Sequence, residues 1–97
     1  MKAVFIAYNQ AYNQEIVELL ENNGQRGYTV WQDMGGRGGV DGEPHLGNHA
    51  WPVQNHAVLT MVDDSRVSQI LEDLRKKDAS APDLGLRAWT WNIEQSL

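Results

Sequence analysis

The stretch "DMGGRGGVDGEPHLGNHAWP", Asp33 to Pro52, decides how the chain is divided. It holds six of the nine glycines, Gly35 to Gly47, and two of the three histidines, His45 and His49. Glycine at this density, with Pro44 and Pro52, suits neither helix nor strand. A structureless segment of this length in a small compact domain is usually functional or disordered. Its flanks are different. "GYTVWQDM", Gly27–Met34, and "NHAVLTMV", Asn55–Val62, both read as strands, rich in β-branched and apolar residues. In the second, Ala57, Leu59 and Met61 face one way, and His56, Val58, Thr60 and Val62 the other. The long segment is therefore a loop joining two strands.

Working outward, each of these strands adjoins a helix. In "NQAYNQEIVELLENNG", Asn9–Gly24, the residues Ile16, Val17, Leu19 and Leu20 form an apolar face, with Glu15, Glu18 and Glu21 turned to water. Asn9 or Asn13 can cap its start, and Gly24 is a left-handed stop. In "DDSRVSQILEDLRKKD", Asp63–Asp78, the residues Val67, Ile70, Leu71 and Leu74 follow the i, i+3, i+4, i+7 pattern. Asp63, Asp64 or Ser65 caps this helix, and basic residues fill its last turn. Outermost are "KAVFIAY", Lys2–Tyr8, a buried first strand, and "LGLRAWTWNIE", Leu84–Glu94, a last strand following Pro82.

The order β-α-β-β-α-β is the ferredoxin-like, α+β arrangement. It predicts a four-stranded antiparallel sheet with two helices on one face and the long loop between strands two and three. The other sheet face then has no cover from its own chain. Valine, methionine and tryptophan in the strands make part of that face apolar, which points to self-association.

Ninety-seven residues, 41% of them hydrophobic, make a single domain, residues 1–97, with a modest core. The net charge is −5, and no basic stretch runs longer than Arg75–Lys77, so no nucleic acid is expected as a partner. With no cysteine, disulfides, thiolate metal sites and cysteine nucleophiles are excluded. The apolar run after Met1 is too short for a signal peptide or a membrane span, and the expected location is cytoplasmic.

The elements and the strings Gly27-Tyr28-Thr29-Val30, Gly35-Gly36-Arg37-Gly38 and Val62-Asp63-Asp64 together resemble the P-II signal-transduction family and its P-II-like relatives. The resemblance spans nearly the whole chain. It implies a homotrimer whose sheets line a central core, with the loop at about 34–52 corresponding to the family's T-loop. That loop would contact a membrane transporter or an enzyme. The resemblance also implies a small-molecule effector, ATP, ADP or AMP, held between subunits. Thr29 then falls near the adenine, Gly35, Gly36, Arg37 and Gly38 at the loop base, and Arg87 beyond the second loop. That second loop departs from the family pattern: "KKDASAPDLGLRAW" replaces its glycine-rich basic run. No tyrosine lies between Trp31 and Pro52, where members often carry a modified one.

The residues themselves support an anion site at the loop base. Successive glycine N–H groups beside Arg37 can cradle an anion, and glycine lets a ligand select among loop conformers. A divalent metal is a second reading: His45, His49 and His56 lie near Asp33, Asp41 and Glu43 in sequence. Relatives linked to metal efflux give that reading a context, while ordinary hydrogen-bonded histidines are the plainer one. Trp31, Trp51, Trp89 and Trp91 read as core or trimer packing, with adenine stacking on Trp31 or Trp51 as the alternative. Trp51 also reads as an anchor for the returning end of the loop. The sequence holds no Ser-His-Asp set, no spaced pair of acids and no phosphate-binding GKS/T loop, so no enzyme is expected. The enzyme alternative is a small ferredoxin-like dimer using His56 as base.

Overall fold

The computed structural model describes residues 1–37, 40, 42–50 and 52–97. Four strands, β1 (Lys2–Asn9), β2 (Thr29–Met34), β3 (Asn55–Val62) and β4 (Arg87–Asn92), and two helices, α1 (Asn13–Asn22) and α2 (Asp64–Ser80), follow one another as β1-α1-β2-β3-α2-β4. The sheet order is β2-β3-β1-β4 with every pair antiparallel. This is the expected ferredoxin-like α+β arrangement, with the long connection between β2 and β3.

Alternation along the strands sorts their side chains. Val4, Ile6 and Tyr8 of β1 and Val58 and Val62 of β3 are buried beneath Ile16 and Leu20 of α1 and Val67, Ile70 and Leu74 of α2, with Leu86 closing the end. Full burial of each such aliphatic side chain contributes roughly 1.5–3 kcal/mol, the main force holding the helices down. Polar contacts set the helix ends. Asn9 accepts from the Ala11 N–H at 2.9 Å, opening a short 3-10 turn (Gln10–Tyr12) that leads into α1. Gly24, at φ 76°, ends the first helical region as expected, and Arg66 Nη1 of α2 donates to its carbonyl at 3.1 Å. Lys77 links the helices, donating to Glu15 at 2.6 Å and lying over the Tyr12 ring.

Both edge strands are shorter than the sequence reading. β2 starts at Thr29 rather than Gly27, and β4 covers Arg87–Asn92 rather than Leu84–Glu94. Backbone pairing of β2 with β3 begins only at Thr29 opposite Leu59, the Gly27 carbonyl being taken by the Thr60 hydroxyl, and β4 pairs with β1 only over Arg87–Asn92. Asp63 sits at the N-cap of α2 without a side-chain bond, while Asp64 reaches the Met1 ammonium at 2.8 Å.

Among the described residues no helix covers the opposite sheet face. The register lays Trp89, Phe5, Leu59 and Thr29 in one row across it. Trp31, Met61, Trp89 and Trp91 are 41–53% exposed. None of these tryptophans belongs to the core of a single chain.

Candidate functional site

The loop base is built by a bulge in β2. Trp31 pairs with Ala57 but Met34 with Asn55, so Gln32 and Asp33 together face His56. Asp33 takes φ 56°, a region that Asp enters more readily than most side chains. Its carbonyl accepts from Gln54 Nε2 at 3.3 Å, and its carboxylate lies 3.6 Å from His56 Nε2. The bulge turns the chain so that Gly36 meets His45 in an isolated antiparallel bridge. The Gly36 N–H donates to the His45 carbonyl at 2.8 Å, and the His45 N–H donates to the Gly36 carbonyl at 2.7 Å. His45 is only 3% exposed, with its Nδ1 2.8 Å from Asn55 Oδ1 on β3. A Cβ at position 36 would stand 2.8 Å from Asn55 Nδ2, so only glycine brings the bridge this close to β3 without a shift. Beyond the bridge, Arg37 is exposed and its Nε donates to the Gly42 carbonyl at 2.8 Å. On the returning limb the Gly47 N–H donates to Val53 O at 3.1 Å.

A cleft of about 360 Å³ opens at the start of β2, lined by Gln25, Gly27, Tyr28, Thr29, Leu59, Thr60 and Met61. Gln25 organises it. Its amide Nε2 lies 2.7 Å from Thr60 Oγ1 and 2.8 Å from the Met61 carbonyl, and the Thr60 hydroxyl donates to the Gly27 carbonyl at 2.6 Å. Leu59 and Met61 offer an apolar wall, and Thr29 an exposed hydroxyl at the rim. An apolar surface with a few fixed polar groups is the usual make-up of a small-molecule site. No sequence signal singles out Gln25, a lone polar residue past a helix stop that acquires its role only from the β2–β3 register.

The expected site residues fall into two groups. Thr29, Gly35, Gly36 and Arg37 follow one another along β2 and into the loop base; Gly38 lies outside the described residues, as do Gly39, Asp41 and Trp51. Arg87 starts β4, at the far edge of the sheet. Three strand spacings, roughly 14 Å, separate its backbone from β2. Its Nη1 donates to the adjacent Leu86 carbonyl at 2.7 Å and lies 4.0 Å from Asp78 Oδ1 of α2. One chain therefore does not bring Arg87 to the Thr29 cleft.

The histidines do not converge. His45 is buried in the bridge, His49 is exposed, and His56 packs edge-on to the Tyr8 ring at 6.1 Å. Among the described residues no three His, Asp or Glu side chains are grouped to hold a metal ion. His56 Nδ1 is shielded from solvent with no hydrogen-bond partner among the described residues. Trp31 contacts Phe5 on the open face, its ring centroid 6.0 Å away. Among the described residues no helix is long and apolar enough to cross a membrane.

A family model described as nitrogen regulatory protein P-II matches residues 1–94. No curated protein matches the chain. Among solved structures, CPII of Thiomonas intermedia K12, a nitrogen regulatory PII-like protein seen with ADP, AMP and bicarbonate, superposes with a TM-score of 0.79 at 19% identity, over 95% of this chain and 84% of that one. The apo form of CPII gives 0.75 at 16% identity, over 95% and 87%. A PII-like signalling protein from Thermus thermophilus gives 0.69 at 24% identity, over 95% and 85%.

Proposed function

The chain belongs to the nitrogen regulatory protein P-II family, and from that premise we propose that it is a trimeric signalling protein whose effector is an adenine nucleotide bound between subunits. Residues 1–97 act as one domain. The adenine occupies the cleft at Thr29, with Leu59 and Met61 against its face and polar groups at its edge. The phosphates lie toward Gly35, Gly36 and Arg37. Arg87 completes the site from the neighbouring subunit, because in its own chain it stands at the opposite sheet edge. The 34–52 loop carries the state of the site to a membrane transporter or an enzyme.

The observation that carries this reading is the placement of the cleft. Thr29 ends the row Trp89-Phe5-Leu59-Thr29, so the cleft opens at the border of the exposed apolar sheet face. Covering that face with neighbouring subunits would enclose the cleft as well. The ADP and AMP seen with CPII make these nucleotides the first probes. Calorimetric titration of the protein with ADP tests the proposal. Saturable binding supports it, and the absence of heat with ADP, ATP and AMP alike removes it.

A further inference from the structure

We propose that Gln25 selects the base of the nucleotide: its side-chain oxygen accepts from a 6-amino group and disfavours a purine without one. The inference rests on the nucleotide reading above and concerns which base the Thr29 cleft admits. Gln25 is fixed at both ends. Its backbone N–H donates to the carbonyl of Leu20, a core residue of α1, at 2.9 Å. Its side-chain Nε2 donates to the Met61 carbonyl at 2.8 Å and to the Gly27 carbonyl at 3.3 Å. A carbonyl can only accept, so these contacts decide which end of the amide is nitrogen. The Thr60 hydroxyl gives its proton to the Gly27 carbonyl at 2.6 Å and therefore meets Nε2, 2.7 Å away, as an acceptor.

This wall of the cleft therefore has one polar sign. The Gln25 side-chain donors are engaged by β3 and the Gly27 turn, and the Thr60 proton by Gly27. Among the described residues nothing donates to Gln25 Oε1, so a residue that lines the cleft keeps an open acceptor. Turning the amide over would set Oε1 against the Met61 and Gly27 carbonyls, so the wall cannot convert itself into a donor. Thr29, whose hydroxyl can donate or accept, discriminates nothing by itself. A ligand edge that carries an N–H satisfies Oε1, and adenine has one in its 6-amino group. A 6-oxo purine sets acceptor against acceptor, and a site built to bond one group rejects the analogue lacking it.

The test compares ADP with purine riboside diphosphate, which is ADP without the 6-amino group, and with inosine diphosphate, which carries oxygen there. Calorimetry of the wild type is expected to show purine riboside diphosphate bound about fivefold more weakly than ADP, the loss of one hydrogen bond, and inosine diphosphate at least about tenfold more weakly. Gln25→Leu and Gln25→Met, each checked by thermal melting, remove the acceptor. Both are expected to bind ADP and purine riboside diphosphate within about twofold of each other. A residue that merely braces the Gly27 turn would weaken all three nucleotides together on substitution and leave their ratios at wild-type values, and that result overturns the proposal. Equal wild-type affinity for the three also overturns it, needs no variant to fold, and leaves the nucleotide reading standing. No ADP binding by the wild type removes the nucleotide reading and the proposal together.

Discussion

Phe5 and Trp31 meet on the sheet face that the helices leave open, ring centroids 6.0 Å apart, and Trp89 approaches Phe5 from the other side at 6.1 Å. The strip they form is half-exposed in one chain. Aromatic side chains in this position carry much of the energy of association. Trp89→Ala is expected to cost on the order of 2 kcal/mol per interface. Sedimentation at micromolar concentration is expected to show a trimer for the wild type and smaller species for the variant. Unchanged mass for the variant would remove the strip from the interface.

Thr29 borders the cleft beside Leu59, and its side chain is exposed. Thr29→Lys would fill the cleft from its rim while leaving the core untouched. ADP affinity is expected to fall by at least about tenfold, or 1.4 kcal/mol, with the melting temperature unchanged. Undiminished binding would place the nucleotide elsewhere.

Tyr8 is fully buried, and its hydroxyl donates to Asn13 Oδ1 at 2.6 Å. Burial, with a smaller contribution from Tyr28, pushes its pKa up to about 12 from the ordinary value of 10.0. The neutral phenol is the form the fold favours. Its stabilisation is complete below pH 10.0 and is lost as pH rises through about 12. Ultraviolet titration should show a late tyrosinate step that Tyr8→Phe removes. A wild-type titration finished near pH 10 would contradict the burial argument.

Gly24 ends the first helical region at φ 76°, and a Cβ there would lie 2.9 Å from Arg66 Nη1. Gly24→Ala meets both a strained backbone and the group that holds its own carbonyl. Thermal melting should report a loss of roughly 1 kcal/mol or more. An unchanged melting temperature would mean the turn relaxes freely.

Much of the fold is legible in the sequence because its signals are local. The helical spacing of Val67, Ile70, Leu71 and Leu74 and the stop at Gly24 concern neighbours in sequence. β3 begins and ends where its alternating residues do, Asn55–Val62. The edge strands read longer in sequence than they are, because their ends depend on a partner strand. The loop is harder to read. Nothing in "GGRGGVDGEPHLG" says that Gly36 will pair with His45, since the pairing follows from the bulge at Asp33 and the reach of Asn55. His45, legible as a candidate metal ligand, is buried as a fastener of the loop. Arg87 shows the same gap in another form. Its separation from Thr29 is a property of strand order, which a pairwise motif does not carry.

The subunit-bridging nucleotide site is tested most directly by native mass spectrometry of the wild-type protein with ADP. The expected result is an assembly of three chains that takes up ADP at one site per chain, with binding lost when the assembly is dissociated. A protein that binds ADP equally well as a single chain, or a trimer that takes up none, would contradict it.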